Sequence, residues 1–195
     1  TAAFFLAAST ATPAMAADFK PYVGLDFSYF NADYDTPNAS IALDDEFTGI
    51  NPYIGLQVHE NIGLEVGYLD TGRSSQTFDG TAIGGGAGDT SDTQITGFHF
   101  DVMGSYNLTD KFEALGTVGI ARFEAESDFG GSLTGKLADT DTAWRIGAGG
   151  RYAITEHIGI RSLVRYNLVD YPSPVLGGDT ANGFWQANVG VQYRF

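Results

Sequence analysis

The chain has 195 residues, a length that suits a single domain, and carries 24 acidic and 10 basic residues for a net charge of −14. Such an excess of acid excludes a basic nucleic-acid-binding surface. Cysteine is absent, which is compatible with an oxidising compartment. Mean hydropathy is −0.08, and beyond residue 16 no apolar run reaches the ~20 residues of a membrane-spanning helix.

The N-terminal segment, residues 1–16, has the pattern of a secretory signal peptide. Its sequence is TAAFFLAASTATPAMA, an apolar run followed by Pro13 and the small-residue sequence AMA, which is typical of a cleavage site. The Met and the basic start of such a signal are missing, so we expect that the chain begins inside it. An N-terminal core helix is the alternative. We therefore predict a mature domain over residues 17–195.

Three short polar segments divide the rest of the chain at nearly regular intervals. They are VHENIGLE from Val58, LTDKFEAL from Leu108 and ITEHIGIR from Ile154, and they begin 50 and 46 residues apart. Each has an aliphatic residue, three polar residues and an apolar residue that starts an alternating run, which is typical of a hairpin turn. Longer segments rich in Gly, Ser, Thr and Asp lie between them, at residues 33–46, 73–93, 127–139 and 170–182.

Short turns that alternate with long loops predict eight strands in an antiparallel up-and-down order. The predicted strands cover residues 20–32, 47–58, 62–72, 94–107, 112–126, 140–154, 158–169 and 183–195. The predicted fold class is therefore all-β, an eight-stranded transmembrane β-barrel with both ends of the domain on the side of the short turns. A soluble lipocalin-like barrel is the alternative, and it would bury its apolar face and expose a polar one.

Alternation along the strands favours the membrane barrel. One phase is almost entirely apolar, as in every second residue from Ile50 to Val58. The opposite phase holds Glu65, Asp101, Glu113, Arg145, Arg151, Arg161, Arg165, Asn188, Gln192 and Arg194. A soluble eight-stranded barrel has no room for so many apolar groups together with a charged exterior dominated by Arg. We expect the apolar phase to face lipid and the charged phase to fill the lumen.

Aromatic residues in the apolar phase mark one border of the predicted lipid-facing band. Each stands ten residues before another apolar residue; the pairs are Phe98 and Leu108, Trp144 and Ile154, and Trp185 and Phe195. Ten residues rising ~3.3 Å each and tilted by ~45° climb about 23 Å, close to the ~25 Å between aromatic girdles. The second strand departs from this spacing, because Thr48 stands at that level and Phe47 is one place off. The three aromatic residues are the predicted girdle.

The last strand carries a distinctive pattern, VGVQYRF, in which Val189, Val191, Tyr193 and Phe195 fall on alternate positions. Together with the turns and the aromatic spacing, it resembles the small eight-stranded bacterial outer-membrane barrels, the transmembrane domain of OmpA and relatives such as OmpX. The resemblance covers residues 17–195 and implies an outer-membrane location with both termini in the periplasm. It also implies that the four alternating residues are the signal read by the barrel-assembly machinery.

Lipid and lipopolysaccharide are the surroundings that this resemblance implies, and Arg122 is the residue that we expect to meet lipopolysaccharide. It stands in the apolar phase, ten residues after Phe112, at the level of Trp144 and Trp185. Arginine binds phosphate through two parallel hydrogen bonds, which lysine does less well. The alternative is that its side chain only extends toward water beside Glu124.

The acidic excess falls on the predicted loops. With their flanks these loops contain 16 of the 24 acidic residues and only Arg73 and Lys136 as bases, which accounts for the net charge of −14. One interpretation is a solvated acidic outer surface. The other is weak binding of divalent cations by carboxylates such as Asp44, Asp45 and Glu46, although no loop has the spacing of a calcium motif. The segments counted are 33–46, 70–93, 124–141 and 170–182.

The inward charges are compatible with two kinds of lumen. With eight strands the interior is just filled by side chains, so buried ions need partners and a salt-bridge network is expected. The sequence does not assign the partner of Glu113. The alternative is a narrow, low-conductance porin whose arginines select anions.

A third possibility is a lipid A-modifying outer-membrane enzyme, which would need a histidine near the outer surface. His59 and His157 fall in the turns, whereas His99 points to the lumen with Asp101 and Ser105 on the same face. No nucleophile elbow, phosphate loop or metal-ligand cluster is visible, so we expect no enzyme activity, cofactor or metal site. The predicted function is that of a monomeric, non-enzymatic outer-membrane barrel with a structural or surface-interaction role.

Overall fold

The computed structural model describes residues 19–31, 46–77, 90–130, 135–170 and 181–195. The predicted signal peptide lies outside these ranges. So do most of the predicted acidic loops, including the candidate cation ligands Asp44 and Asp45. The third candidate ligand, Glu46, is the first residue of the second strand.

Eight antiparallel strands close into a barrel in which β1 pairs with both β2 and β8. The strands are β1 (Lys20–Asn31), β2 (Glu46–His59), β3 (Ile62–Thr77), β4 (Thr90–Asn107), β5 (Phe112–Gly130), β6 (Gly135–Ala153), β7 (Ile158–Asp170) and β8 (Ala181–Arg194). The prediction of an all-β, eight-stranded, up-and-down barrel is confirmed.

Tight turns join the strands at one end of the barrel, which we call the turn end; the opposite end is the loop end. The turns span residues 60–61, 108–111 and 154–157, as the polar segments of the sequence predict. Two of them are built alike, because a threonine Oγ1 accepts hydrogen bonds from the backbone N–H groups two and three residues later. The threonines are Thr109 and Thr155. No helix among the described residues is long and apolar enough to cross a membrane.

Strand alternation separates an apolar exterior from a polar interior, because successive side chains point to opposite faces of a strand. Large apolar side chains are open on the outside, and those of Phe98 and Trp144 are each 66% exposed. On the inside, Asp26, Asp101 and Arg165 have no exposed surface. The arrangement is the reverse of a soluble protein and fits a barrel surrounded by lipid.

The strands near the loop end run further than the sequence predicted. Residues 73–77, 90–93, 127–130 and 135–139, expected in loops, continue the ladder from β3 to β6. Beyond the apolar band both faces of a strand meet water, so the alternation that marks a strand in the sequence disappears while backbone pairing continues. A bulge between Asp70 and Arg73 turns β3, with Gly72 at a φ of +68° and its N–H donating to Asp70 Oδ1 at 2.8 Å.

The register of β2 was left open by the sequence. Thr48 faces outward, whereas Phe47 is buried in the lumen with 8% of its surface exposed. The aromatic residue at this position therefore belongs to the interior rather than to the lipid-facing girdle.

Two tyrosines occupy space that two glycines leave open between β1 and β2. Tyr22 pairs with Gly55 and Tyr53 with Gly24 in the ladder. A Cβ atom on Gly24 would lie 2.2 Å from the Tyr53 ring, and one on Gly55 would lie 2.1 Å from the Tyr22 ring. The glycines leave room for the two rings, whose centres lie 6.3 Å apart in an edge-to-face arrangement.

Gly24→Ala should lower the free energy of unfolding by about 1–3 kcal/mol, the usual cost of an added methyl group in a filled interior. The added methyl group would push the Tyr53 ring out of its place. Urea unfolding of the refolded protein in detergent measures the effect. Gly116→Ala is the control, since nothing lies within 4 Å of a Cβ built there, and equal losses for the two variants would contradict the packing described.

Candidate functional site: the lumen

Three groups of side chains follow one another through the lumen from the loop end to the turn end. The apolar plug consists of Phe30, Phe47, Leu69, Ala121, Phe123 and Ala143, with Ile95 and Phe184 packed against it. The central network consists of Asp26, Glu65, Asp101, Arg145, Arg161 and Arg165. The turn-end triad consists of Glu113, Arg151 and Arg194.

Arg161 on β7 organises one half of the central network. Its Nη2 donates to Asp26 Oδ2 on β1 and its Nη1 to Glu65 Oε2 on β3, each at 2.5 Å. The guanidinium carbon also lies 3.6 Å from the centre of the Tyr53 ring, a cation–π geometry. One arginine thus ties three strands together across the interior.

Arg165, four residues further along the same face of β7, links this half to the other. Its Nη2 lies 3.2 Å from Asp101 Oδ2 and 3.5 Å from Glu65 Oε1. Arg145 on β6 pairs with the second oxygen of Asp101, with Nε 3.2 Å from Oδ1. The six residues therefore form one continuous chain of ion pairs.

The central network is neutral as a unit, because it contains three carboxylates and three guanidinium groups. All six side chains are buried, none more than 2% exposed. Isolated charges at such positions would cost several kcal/mol each, and shared hydrogen bonds between opposite charges offset this penalty. The arrangement resembles the packing of an ionic solid more than a channel lined by hydrated charges.

His99 extends the network toward β2. Its Nδ1 lies 3.3 Å from Asp101 Oδ2 and its Nε2 lies 3.1 Å from Asn51 Oδ1. Both ring nitrogens face side chains inside a closed lumen, and the residue is 4% exposed. Ser105, the other polar residue proposed for this face, lies near the turn end, where its carbonyl oxygen accepts from Asn61 Nδ2 at 2.8 Å.

Glu65, His99 and Asp101 form a group that the sequence did not reveal, with candidate ligand atoms within 4.8 Å of one another. A cation there would compete with Arg165, whose Nη2 already lies against both carboxylates. The guanidinium supplies the positive charge that a metal ion would bring. The residues around the group therefore fit an ion-pair network better than a metal site.

The turn-end triad lies on the other side of the central network. Glu113 on β5 accepts hydrogen bonds through a single oxygen, Oε2, from Arg151 on β6 and from Arg194 on β8, the latter at 3.2 Å. Arg151 is 8% exposed, whereas the Arg194 side chain is 27% exposed at the rim. This assignment supplies the partners of Glu113, and they are not among the arginines of the central network.

The apolar plug closes the loop end of the described lumen. Phe184 lies 5.5 Å from Phe123 and 6.0 Å from Phe30, ring centre to ring centre. Phe123 is the most exposed of the buried plug residues, at 9%. The rings of Phe30, Phe123 and Phe184 therefore form part of an apolar layer at the loop end of the described lumen.

The outward residues singled out from the sequence lie on the lipid-facing surface. Phe98 packs on Tyr68 at 4.8 Å and Trp185 on Tyr166 at 4.9 Å, ring centre to ring centre, and Trp144 is 66% exposed. Arg122 is exposed and pairs with Phe98 in the ladder. The residues of the predicted assembly signal are all exposed: Val189 56%, Val191 53%, Tyr193 41% and Phe195 66%.

Sequence reasoning missed Asp26 and the apolar plug. Asp26 could have been found, because Val23, Leu25 and Phe27 alternate around it and place it in the inward phase. The plug gave no signal, since its phenylalanines stand in the phase that elsewhere holds charges. From sequence alone, an apolar residue at an inward position suggests that the strand alternation has been assigned wrongly. Only the other rings of the layer show that it belongs inside.

Comparisons with known proteins agree with this architecture. A family model described as outer membrane protein beta-barrel domain matches residues 1–195. No curated protein matches the chain.

Solved structures with this fold are similar over most of their length. Neisserial surface protein A has a TM-score of 0.61 at 16% identity, covering 90% of this chain and 97% of that one. OprG from Pseudomonas aeruginosa has a TM-score of 0.63 at 14% identity, covering 90% of this chain and 96% of that one. Ail from Yersinia pestis, solved with the heparin analogue sucrose octasulfate, has a TM-score of 0.57 at 15% identity. The match covers 91% of this chain and 97% of that one.

Glu113→Ala should lower the free energy of unfolding by about 3–5 kcal/mol, because it leaves the buried Arg151 without its carboxylate. Glu113→Ala combined with Arg151→Ala should cost clearly less than the sum of the two single changes. A double-mutant cycle, measured by urea unfolding in detergent, gives the coupling energy.

The matched control pairs Glu113→Ala with Arg145→Ala, whose guanidinium contacts Asp101 instead. Those two changes should be additive. Additivity in both cycles, or equal coupling in both, would show that the partners of Glu113 are not those described.

Proposed function

The chain belongs to the outer membrane protein beta-barrel family, and on that premise we propose that it is a non-enzymatic barrel whose filled lumen does not conduct. A member of this family resides in the bacterial outer membrane. The role is then structural, or it lies in contacts made by the outer surface. One observation carries the proposal: the lumen is crossed by two successive layers, the apolar plug and the neutral central network.

Conduction would need a continuous water path through both layers. The central network leaves its six charged side chains at most 2% exposed, so hydrated ions cannot pass between them without breaking buried ion pairs. The plug adds an apolar layer that water does not wet readily. A narrow, low-conductance porin is the second candidate, and the five inward arginines are what favours it.

The lipid A-modifying enzyme finds less support. His59, at the end of β2, and His157, in the last turn, are exposed at the turn end, whereas His99 contacts Asn51 and Asp101 inside the lumen. A lipid substrate would approach from the outer, lipid-facing surface and could not reach that ring. The described residues around it include no hydroxyl group hydrogen-bonded to its nitrogens.

The orientation we propose puts the turn end in the periplasm and the loop end outside. Short turns at the periplasmic side and longer loops outside are the usual arrangement in this class of barrel. Both ends of the described barrel, Phe19 and Phe195, then lie on the periplasmic side. The exposed terminal strand, with its alternating apolar residues, is available to the assembly machinery there.

An outer surface that carries acid is the second element of the proposal. Glu124, Glu126 and Asp128 share the outward face of β5 beyond the aromatic girdle, and Arg73 lies 3.9 Å from Asp128. Ail was solved with a highly sulfated sugar, whereas a surface of this sign would repel such a ligand. A surface partner of this chain would therefore be cationic, or would bind through bridging cations.

Planar lipid bilayers test the proposal directly. The refolded protein should give no stable single-channel steps, because both layers must open before ions pass. Phe123→Ala thins the plug, and Phe98→Ala removes the same ring from the lipid-facing surface as a control. If a mutation opens an ion path, only Phe123→Ala should pass current, and Phe98→Ala should not. Reproducible single-channel steps from the parent protein would favour the porin.

Arg122 is proposed to contact a lipopolysaccharide phosphate at the outer interface. Lipid-facing arginine costs about 2–4 kcal/mol at mid-depth but only about 0–1 kcal/mol near the interface. Added lipopolysaccharide should raise the thermal stability of the parent in detergent more than that of Arg122→Ala. Arg122→Lys, which keeps the charge without the paired hydrogen bonds, should fall between them, and equal stabilisation of all three would remove Arg122 from the contact.

A further inference from the structure

A small cavity opens at the turn end of the lumen, below the central network. Arg151, Arg161 and Arg194 line it together with the apolar side chains of Met103 and Leu115. Its volume is about 20 Å³, which exceeds the roughly 10–15 Å³ that a single water molecule needs. No carboxylate side chain lines the cavity within the described ranges.

Positive charge is in excess among the lumen side chains at the turn end. The central network contains three carboxylates and three guanidinium groups, so Arg161 is already matched by Asp26 and Glu65. The turn-end triad has two guanidinium groups on one carboxylate, and both contact the same oxygen of Glu113. One positive charge beside the cavity is therefore without a matching negative charge among the described lumen residues.

Arginine N–H groups without hydrogen-bond acceptors occur in the turn-end triad as well as in the central network. Arg151 Nη1 and Arg194 Nε are buried atoms with no hydrogen-bond partner among the described residues. The Arg151 side chain is nine-tenths buried, so water from the bulk does not freely solvate it. An acceptor that enters the cavity would meet N–H groups whose hydrogen bonds are unmade, and charged acceptors gain most from such contacts.

We propose that this cavity binds a small monovalent anion, with a short monocarboxylate such as formate as the best fit. A carboxylate presents two coplanar oxygens, which match the planar fork of a guanidinium group. Met103 and Leu115 supply an apolar wall for the carbon side of the molecule. The inference depends on the proposed function only for its orientation, which would open the site to the periplasm.

Size and charge restrict the ligand class further. A volume of about 20 Å³ favours the smallest anions over phosphate or sulfate. The turns around the mouth contain Glu60, Asp110 and Glu156 against Lys111, so their charge is net negative and disfavours a polyanion. A halide ion shares the small size and single charge, and the experiment must separate it from the carboxylate.

The test uses the full barrel refolded in a zwitterionic detergent, with isothermal titration of sodium formate, sodium chloride or sodium sulfate at constant ionic strength. Formate should bind with a measurable heat and raise the midpoint of thermal unfolding. Sulfate should do neither. Binding of chloride as tight as that of formate would overturn the carboxylate assignment.

Two variants should move the affinity in opposite directions. Arg194→Gln removes the excess charge while Arg151 keeps Glu113, and it should weaken formate binding by at least about tenfold, since a hydrogen bond to a charged group contributes roughly that factor or more. Glu113→Gln removes the competing carboxylate and should tighten formate binding. Lys111→Gln, in the turn between β4 and β5, removes one positive charge at the same end without touching the cavity and should leave binding unchanged.

Opposite changes in formate affinity for Arg194→Gln and Glu113→Gln distinguish a binding site from a general attraction of anions to positive charge. Equal weakening in Arg194→Gln and Lys111→Gln would overturn the proposal, because net charge alone would explain it. Absence of formate binding to the parent protein would also overturn it. If Glu113→Gln does not refold, the comparison of Arg194→Gln with Lys111→Gln still decides, since Arg194 lies at the exposed rim. None of these outcomes depends on whether the barrel conducts.

Discussion

Arg161 lies in the middle of the barrel between Asp26 and Glu65, and the need to neutralise such buried charges determines the interior of the structure. A strand that faces lipid on one side can place its polar side chains only on the other. Closing eight such strands gathers those side chains into a space that they fill almost completely. Every inward charge then needs an opposite charge within hydrogen-bond distance, and the central network supplies it.

The rest of the barrel depends on that arrangement. Interior glycines are required because neighbouring side chains occupy their space, tyrosine rings at Gly24 and Gly55 and the Arg165 side chain at Gly147. Toward the loop end, charges give way to phenylalanine rings, which form an apolar layer beside the network. Toward the turn end the balance fails by one charge at Glu113, Arg151 and Arg194, and a cavity lies beside them. The pairing of buried charges in the lumen thus underlies both the stability of the barrel and the proposed binding site.

The sequence predicted the fold well because the membrane imposes strict patterns on it. The polar segments at residues 60–61, 108–111 and 154–157 became turns, and the apolar phase between them became the outer surface. Beyond the lipid the same rules no longer apply, and the longer ends of β3 to β6 were missed. Water on both faces removes the alternation, although hydrogen bonds between the strands remain.

The lumen was harder to predict than the fold. Alternation puts Glu65, Asp101 and Arg165 inside, but it does not say which carboxylate an arginine reaches across the barrel. That choice depends on strand tilt and on how far each side chain extends across the lumen, as when Arg194 reaches Glu113 from β8. The phenylalanines of the plug could not be distinguished from a break in the pattern. Packing between distant strands, rather than local sequence, decides these contacts.

Hydrogen exchange of the arginine guanidinium groups tests the central claim most directly. Nitrogen-15 NMR of the barrel in detergent, transferred to deuterated water, follows the Nη and Nε protons of each arginine. If the charges are paired in a sealed lumen, the protons of Arg145, Arg161 and Arg165 should persist long after those of the exposed Arg73 have exchanged. Exchange of all four at the same rate would contradict a closed, ion-paired interior.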